Sequence, residues 1–186
     1  MSQPAARAPE SAPDVIVKHS PVTGELLGQW PITAPAQVDE AVARARAAWP
    51  GWRDTSIERR LEVLGRLKGL IIEEGERIAR RISEDTGKPW VDSMMTELFA
   101  VPLFLDYYDE HGPEILARRR VPTPMVMPGK LSYVEHNPMG VIAVISPWNF
   151  PFQLSVVPVL SALIAGNAVI LKPSEVTPIT GDLIAD

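Results

Sequence analysis

The sequence predicts an α/β protein in which an N-terminal β-hairpin and a set of helices lead into a parallel β-α-β unit. Three observations predict this class. A continuous apolar run at 141–145 has the length and the Val/Ile content of a strand covered on both faces. An apolar stretch of helical length follows at 151–165. A second short β-type run stands at 168–171. Two strands joined through one helix form a parallel pair, right-handed by the general chirality of such crossovers.

Composition sets the outer bounds. The chain has 186 residues, 46% of them hydrophobic and 22% charged, enough for one sizeable core. A net charge of −5 argues against nucleic acid or an anionic membrane surface as partner. With no cysteine, the chain has no disulfide, no thiolate metal ligand and no thiol nucleophile of its own. His19, His111 and His136 are too scattered to form a metal cluster. The opening residues lack the apolar segment of a secretion signal. The longest apolar stretch, 156–169, is too short for a bilayer and is broken by Pro158 and Gly166. These features predict a cytoplasmic protein with no membrane and no nucleic-acid partner.

The elements follow in order. Residues 1–14, rich in Ala, Pro and Ser, predict a disordered tail. Val15-Ile16-Val17 and the segment 26–32 predict two strands, with Pro21-Val22-Thr23-Gly24 as the turn between them. Thr33 can cap a first helix with Val38, Ala41, Val42, Ala45 and Ala48 on one side, ended by Pro50-Gly51. Thr55-Ser56-Ile57-Glu58 has capping-box spacing, and Leu61, Leu64, Leu67, Leu70 and Ile71 form the stripe of a second helix. Gly75 predicts a break, after which Ile78, Ala79 and Ile82 mark a third helix capped by Gly87. A fourth helical stretch spans 90–117, interrupted near Pro102 and again near Gly112-Pro113. Arg118-Arg119-Arg120 reads as a solvated helix end in preference to an anion site, then 121–125 is extended. Alternation over 129–136 predicts a strand with Leu131, Tyr133 and Glu135 on one face. Thr177-Pro178 opens the last helix.

In doubly wound sheets, ligands bind beyond the carboxyl ends of the strands. Two motifs fall there: Ser146-Pro147-Trp148-Asn149-Phe150-Pro151 after one strand, and Lys172-Pro173-Ser174-Glu175 after the other. The Asn149 amide could donate to an oxygen that gains negative charge, or could satisfy its own turn. Lys172 and Glu175 could hold the paired hydroxyls of a ribose, or could form a surface ion pair at a helix entrance. Ser174 could cap the following helix or contact a phosphate. Trp148 and Phe150 could line a pocket or cover the sheet end. Neither G-x-G-x-x-G nor the Walker A pattern is present.

Five segments in consistent order resemble the aldehyde dehydrogenase superfamily. They are Ser20-Pro21-Val22-Thr23-Gly24-Glu25; Val38 to Val42 with Ala47-Ala48-Trp49-Pro50-Gly51-Trp52; Glu84-Asp85-Thr86-Gly87-Lys88-Pro89; GVIAVISPWNFPF at 140–152; and AGNAVILKPSEVTP at 165–178. The resemblance covers about residues 15–186 and corresponds to the N-terminal portion of the family fold. It implies an incomplete Rossmann-like unit. The family oxidises an aldehyde substrate to a carboxylic acid with NAD or NADP, through a cysteine thiohemiacetal, and its members form homo-oligomers. The resemblance assigns Asn149 to oxyanion stabilisation and Lys172 with Glu175 to the adenosine ribose. It assigns Ser146 and Trp148 to backbone contact with the cofactor, Ser174 to the adenosine end, and Phe150 and Gln153 to the substrate tunnel. It divides the chain into the tail at 1–14, a hairpin and helical part at 15–122, an association arm at 123–139 and the β-α-β unit at 140–186. The family's nucleophilic cysteine and general-base glutamate have no counterpart within these residues, which predicts a chain inactive by itself. The alternative is a non-catalytic fragment that binds cofactor or a partner.

Overall fold

A computed structural model describes residues 15–186. The tail predicted at 1–14 lies outside the described residues. Strands β1 (Val15–His19) and β2 (Leu26–Pro31) form the predicted antiparallel hairpin, with Gly24 at the positive φ its turn requires. Helix α1 (Pro35–Arg53) begins one residue later than predicted, at Ala34, whose N–H donates to the Gln37 side chain at 2.8 Å. It also runs through Pro50-Gly51 to Arg53, because the last turn of a helix tolerates both residues once its end is anchored elsewhere. The anchors are Trp49 Nε1, which donates to the Gly166 carbonyl at 3.0 Å, and Trp52 Nε1, which donates to the Leu163 carbonyl at 2.9 Å. Val38, placed on the apolar stripe by its spacing, is exposed.

The largest departure from the sequence prediction is α2 (Ile57–Thr86), a single 30-residue helix that passes straight through Gly75. Ser56 caps it, accepting from Arg59 N–H at 3.2 Å, while the Thr55 hydroxyl turns back to the Trp52 carbonyl at 2.6 Å. Gly75 is buried and does not break the helix. It lies against Met94 and Leu98 of the next helical segment, and a Cβ there would sit 3.6 Å from Met94 Cε. Leu70, assigned to the core stripe by spacing, is half exposed. Gly87 ends α2 at φ 77°, the left-handed cap that its position predicts.

The predicted fourth helix is two pieces joined by a π-helical turn. Helix α3 (Trp90–Ser93) passes into a π-turn over Met94–Leu98 and then into α4 (Ala100–Leu116). The interruption therefore lies at the π-turn and not at Pro102, which sits in the first turn of α4 where a missing N–H costs little. Gly112-Pro113 does not stop α4, which continues to Leu116. The extra residue of a π-turn shifts the helix face. Adjacent residues Glu97 and Leu98 of this turn are both buried.

Beyond α4, Arg119 and Arg120 belong to a strand. Strand β3 (Arg119–Val121) pairs antiparallel with β4 (Ser132–Val134), so β4 is shorter than the predicted 129–136. Arg118 joins the ribbon from outside, with its guanidinium 3.9 Å from the Tyr133 ring centroid and 2.6 Å from Glu135. The ribbon's first strand thus starts ahead of the boundary expected at 123.

The β-α-β unit is as predicted in order and direction. Strand β5 (Val141–Ile145) pairs parallel with β6 (Ala168–Lys172), and α5 (Gln153–Ile164) connects them. Helix α6 (Pro178–Ala185) follows. Strand β5 is not covered on both faces, however. Val144 is buried, whereas Ala143 and Ile145, which alternation places on the opposite face, are exposed. The lower end of the sheet is pinned by buried Asn167, whose Oδ1 accepts from Gly140 N–H at 3.0 Å and whose Nδ2 donates to the Ala162 carbonyl at 3.1 Å. The main core joins Leu61, Leu64, Ile71, Ile78 and Ile82 of α2 to Val101 and Leu105 of α4 and to Val156, Leu160 and Ile164 of α5.

Two glycine substitutions test this account. Gly75→Ala should raise stability by roughly 0.5–1 kcal/mol, since a continuous helix gains propensity and the added methyl meets only ordinary contacts. Gly87→Ala should cost about 1–2 kcal/mol, because its left-handed backbone resists a Cβ that would also meet Pro21. Urea unfolding of both variants gives the two signs.

Candidate functional site

The parallel register sets Ile145 beside Lys172, so the two strands end together. One more backbone bond, Ser146 N–H to the Lys172 carbonyl at 3.2 Å, closes the ladder. The turns at 146–152 and 173–177 therefore leave the sheet from neighbouring positions, as the motif argument requires.

In the first turn, Ser146 is buried and its Oγ lies 2.6 Å from Ser155 Oγ, which also donates to the Pro151 carbonyl at 2.5 Å. This ties the turn to the first coil of α5. Trp148 and Asn149 are exposed. Among the described residues, the Asn149 side-chain amide makes no hydrogen bond to its own turn; its backbone carbonyl instead accepts from Lys88 Nζ at 3.0 Å. Phe150 is partly exposed, with its ring centroid 4.6 Å from Lys88 Nζ. Gln153 begins α5 and is half-buried. Leu154, four residues after Phe150, adds a second partly exposed apolar side chain at the helix start.

In the second turn, Lys172 Nζ and Glu175 Oε2 stand 2.7 Å apart, with both side chains open to solvent. The Lys172 ammonium, by hydrogen bond and by charge, holds the Glu175 carboxyl below its ordinary range. A cationic donor and an anionic acceptor side by side, both exposed, suit the two adjacent hydroxyls of a ribose. Ser174 is buried and its Oγ accepts from Val176 N–H at 3.2 Å, which shapes the turn. It does not cap α6.

The residues that hold these turns were not singled out by sequence reasoning. Glu97 is fully buried, ion-paired with Lys88 at 2.5 Å, and accepts from Phe152 N–H at 2.8 Å. Asp85 is also fully buried. It accepts from Thr180 N–H at 2.7 Å and Thr180 Oγ1 at 2.8 Å, and lies 3.3 Å from Lys18 Nζ. Thr180 is the third residue of α6, so Asp85 caps that helix from across the fold. Lys18 Nζ in turn donates to the Val176 carbonyl at 2.7 Å. Two signals were present: Asp85 and Lys88 belong to the Glu84–Pro89 motif, and Glu97 is a lone acid in an apolar segment.

Among the described residues, no helix is long and apolar enough to cross a membrane.

The aldehyde dehydrogenase family model matches residues 8–186. The chain belongs to the aldehyde dehydrogenase family. A 4,4'-diapolycopene aldehyde oxidase from Methylomonas sp is 42% identical over 168 residues, covering 90% of this chain and 32% of the relative. A succinate-semialdehyde dehydrogenase from Burkholderia pseudomallei superposes with a TM-score of 0.83 at 33% identity, covering 92% of this chain and 35% of that one. PnpE, solved in complex with nicotinamide adenine dinucleotide, superposes with a TM-score of 0.83 at 33% identity, covering 92% and 34%. The chain thus spans about a third of the length of these relatives and has the fold of their matching part.

Burial pushes the Asp85 carboxyl above its ordinary value, outweighing the Thr180 hydrogen bonds and the Lys18 charge that pull it down. The folded chain therefore holds that proton more tightly than the unfolded chain. This contribution is complete below the ordinary carboxylate pKa and is lost as pH rises through the raised value. Asp85→Asn lacks it. Across that window, the stability of Asp85→Asn relative to the parent should increase with pH; a difference that shrinks in denaturation series would contradict the assignment.

Proposed function

We propose that residues 146–175 form the oxyanion and cofactor-ribose side of an NAD(P)-dependent aldehyde dehydrogenase site. The observation that carries this proposal is the pairing of β5 and β6, which ends the Asn149 turn and the Lys172–Glu175 turn side by side. Family membership supplies the reaction class: oxidation of an aldehyde to a carboxylic acid. NAD or NADP, when bound, supplies the hydride acceptor. The side-chain amide of Asn149 donates to the carbonyl oxygen of the aldehyde as that oxygen becomes negative. The exposed amide suits this role, since no bond to the turn competes for it. Lys172 donates to, and Glu175 accepts from, the adenosine ribose hydroxyls. Ser146 and Trp148 contact the cofactor through backbone, and Ser174 borders its adenosine end. Phe150 and Gln153 face the substrate path. The arm at 123–139 serves association of subunits in a homo-oligomer.

The chain has no cysteine, so it supplies an oxyanion donor without the nucleophile that creates the oxyanion. The purified 186-residue chain should show no NAD(P)-linked oxidation of aldehydes. Turnover by the purified chain that Asn149→Ala abolishes would overturn this. Adenosine nucleotides remain a test of the ribose pair: ADP-ribose binding should weaken about tenfold in Glu175→Ala, the loss of roughly one charge-assisted hydrogen bond.

A second possibility is a non-catalytic piece that binds a partner. The open two-stranded sheet favours it, with Ile145 76% exposed at a strand end. Sedimentation of the purified chain should then show association, and a monodisperse monomer that melts cooperatively would argue against it.

A further inference from the structure

Two lysine–carboxylate pairs repeat one arrangement on the two site turns. In each, the ammonium donates to a backbone carbonyl within a turn, and the carboxylate accepts a backbone N–H where the following helix begins. Lys88 takes the Asn149 carbonyl at 3.0 Å and Glu97 takes Phe152 N–H at 2.8 Å. Lys18 takes the Val176 carbonyl at 2.7 Å and Asp85 takes Thr180 N–H at 2.7 Å. Both carboxylates are 0% exposed.

We propose that Lys88–Glu97 and Lys18–Asp85 are separate positioning pairs, the first for the turn that carries Asn149 and the second for the turn that carries Ser174 and Glu175. Each pair grips its turn at two points, one carbonyl and one N–H, so the turn cannot swing about a single bond. Burying an ion pair is a poor way to gain stability, because desolvation offsets most of the attraction. What such a pair does well is hold backbone groups in one direction. Packed apolar residues could replace its contribution to the core but could not bind a carbonyl or an N–H. The pairs also draw on different elements: β1 and the end of α2 for one, the α2–α3 connection and the π-turn for the other. Loosening one turn therefore leaves the other gripped. The catalytic meaning of this division rests on the proposed assignment of the two turns, whereas the gripping itself does not.

The test uses the 186-residue chain with Lys88→Met, Glu97→Gln, Lys18→Met and Asp85→Asn, read by amide hydrogen exchange and by ADP-ribose titration. The first two variants should speed exchange about tenfold in peptides over 149–155 and leave 174–183 at the parent rate. The last two should do the reverse. The Lys18 and Asp85 variants, which loosen the turn carrying Ser174 and Glu175, should weaken ADP-ribose binding by about tenfold, and more than the Lys88 and Glu97 variants do. The isosteric Gln and Asn variants carry the test if a methionine variant fails to fold. Exchange that rises uniformly over the chain, or rises in neither turn, would overturn the proposal. If the parent chain does not bind ADP-ribose, the ribose assignment falls, and the exchange pattern still decides whether the pairs act separately.

Discussion

A carboxylate taken out of water is tolerable only where a cation and hydrogen-bond donors meet it, and Glu97 and Asp85 draw those groups from distant parts of the chain. Glu97 collects Lys88 and the start of α5; Asp85 collects Lys18 of the hairpin and the start of α6. Three of these partners sit where an element begins or in the connection after α2, and Lys18 lies within β1. The end of α2 and the π-turn after it thus serve as a common mount for the hairpin, for both helices of the β-α-β unit and for both turns beyond the strands. Glu97 sits in that π-turn, so the mount's second acid comes from the irregular segment rather than from α2 itself.

The opposite end of the sheet is held by neutral groups. Asn167, just ahead of β6, accepts from Gly140 N–H just ahead of β5 and donates to the Ala162 carbonyl of α5, while Trp49 and Trp52 donate to carbonyls at the end of α5 and the loop after it. The sheet is therefore fixed by amide and indole donors at its lower end and by ion pairs at the carboxyl ends of its strands. The chemistry differs because the needs differ. The lower end has only to satisfy backbone groups within a packed interior. The upper end leaves the Asn149 side chain and the Lys172–Glu175 pair exposed while the backbone of both turns is gripped.

Much of this fold was legible in the residues. The Val/Ile runs at 141–145 and 168–171, the turn at Pro21–Gly24 and the glycine at 87 each carry a local signal strong enough to act alone. Misreadings arose where a local signal had a tertiary answer. Gly75 suggested a break, yet the helix runs through it, buried against Met94 and Leu98. Pro50-Gly51 suggested a stop, yet the two tryptophans hold that turn in place. Arg119 and Arg120 suggested a solvated helix end, yet β4 offered them backbone partners. Asn149, Lys172 and Glu175 stood out as candidates because their motifs follow strands. Glu97 was missed because its meaning depends on Lys88 and Phe152, nine and fifty-five residues away.

Gly166 lies at φ 85° with the Arg60 guanidinium directly beneath it, and a Cβ would stand 3.0 Å from Arg60 Cζ. That guanidinium cannot simply move aside, for it donates to the carbonyls of Ile164, Arg53 and Thr55. The two positions are thereby coupled: a side chain at 166 must displace a guanidinium that serves three carbonyls, and removing the guanidinium leaves those carbonyls in need of another donor.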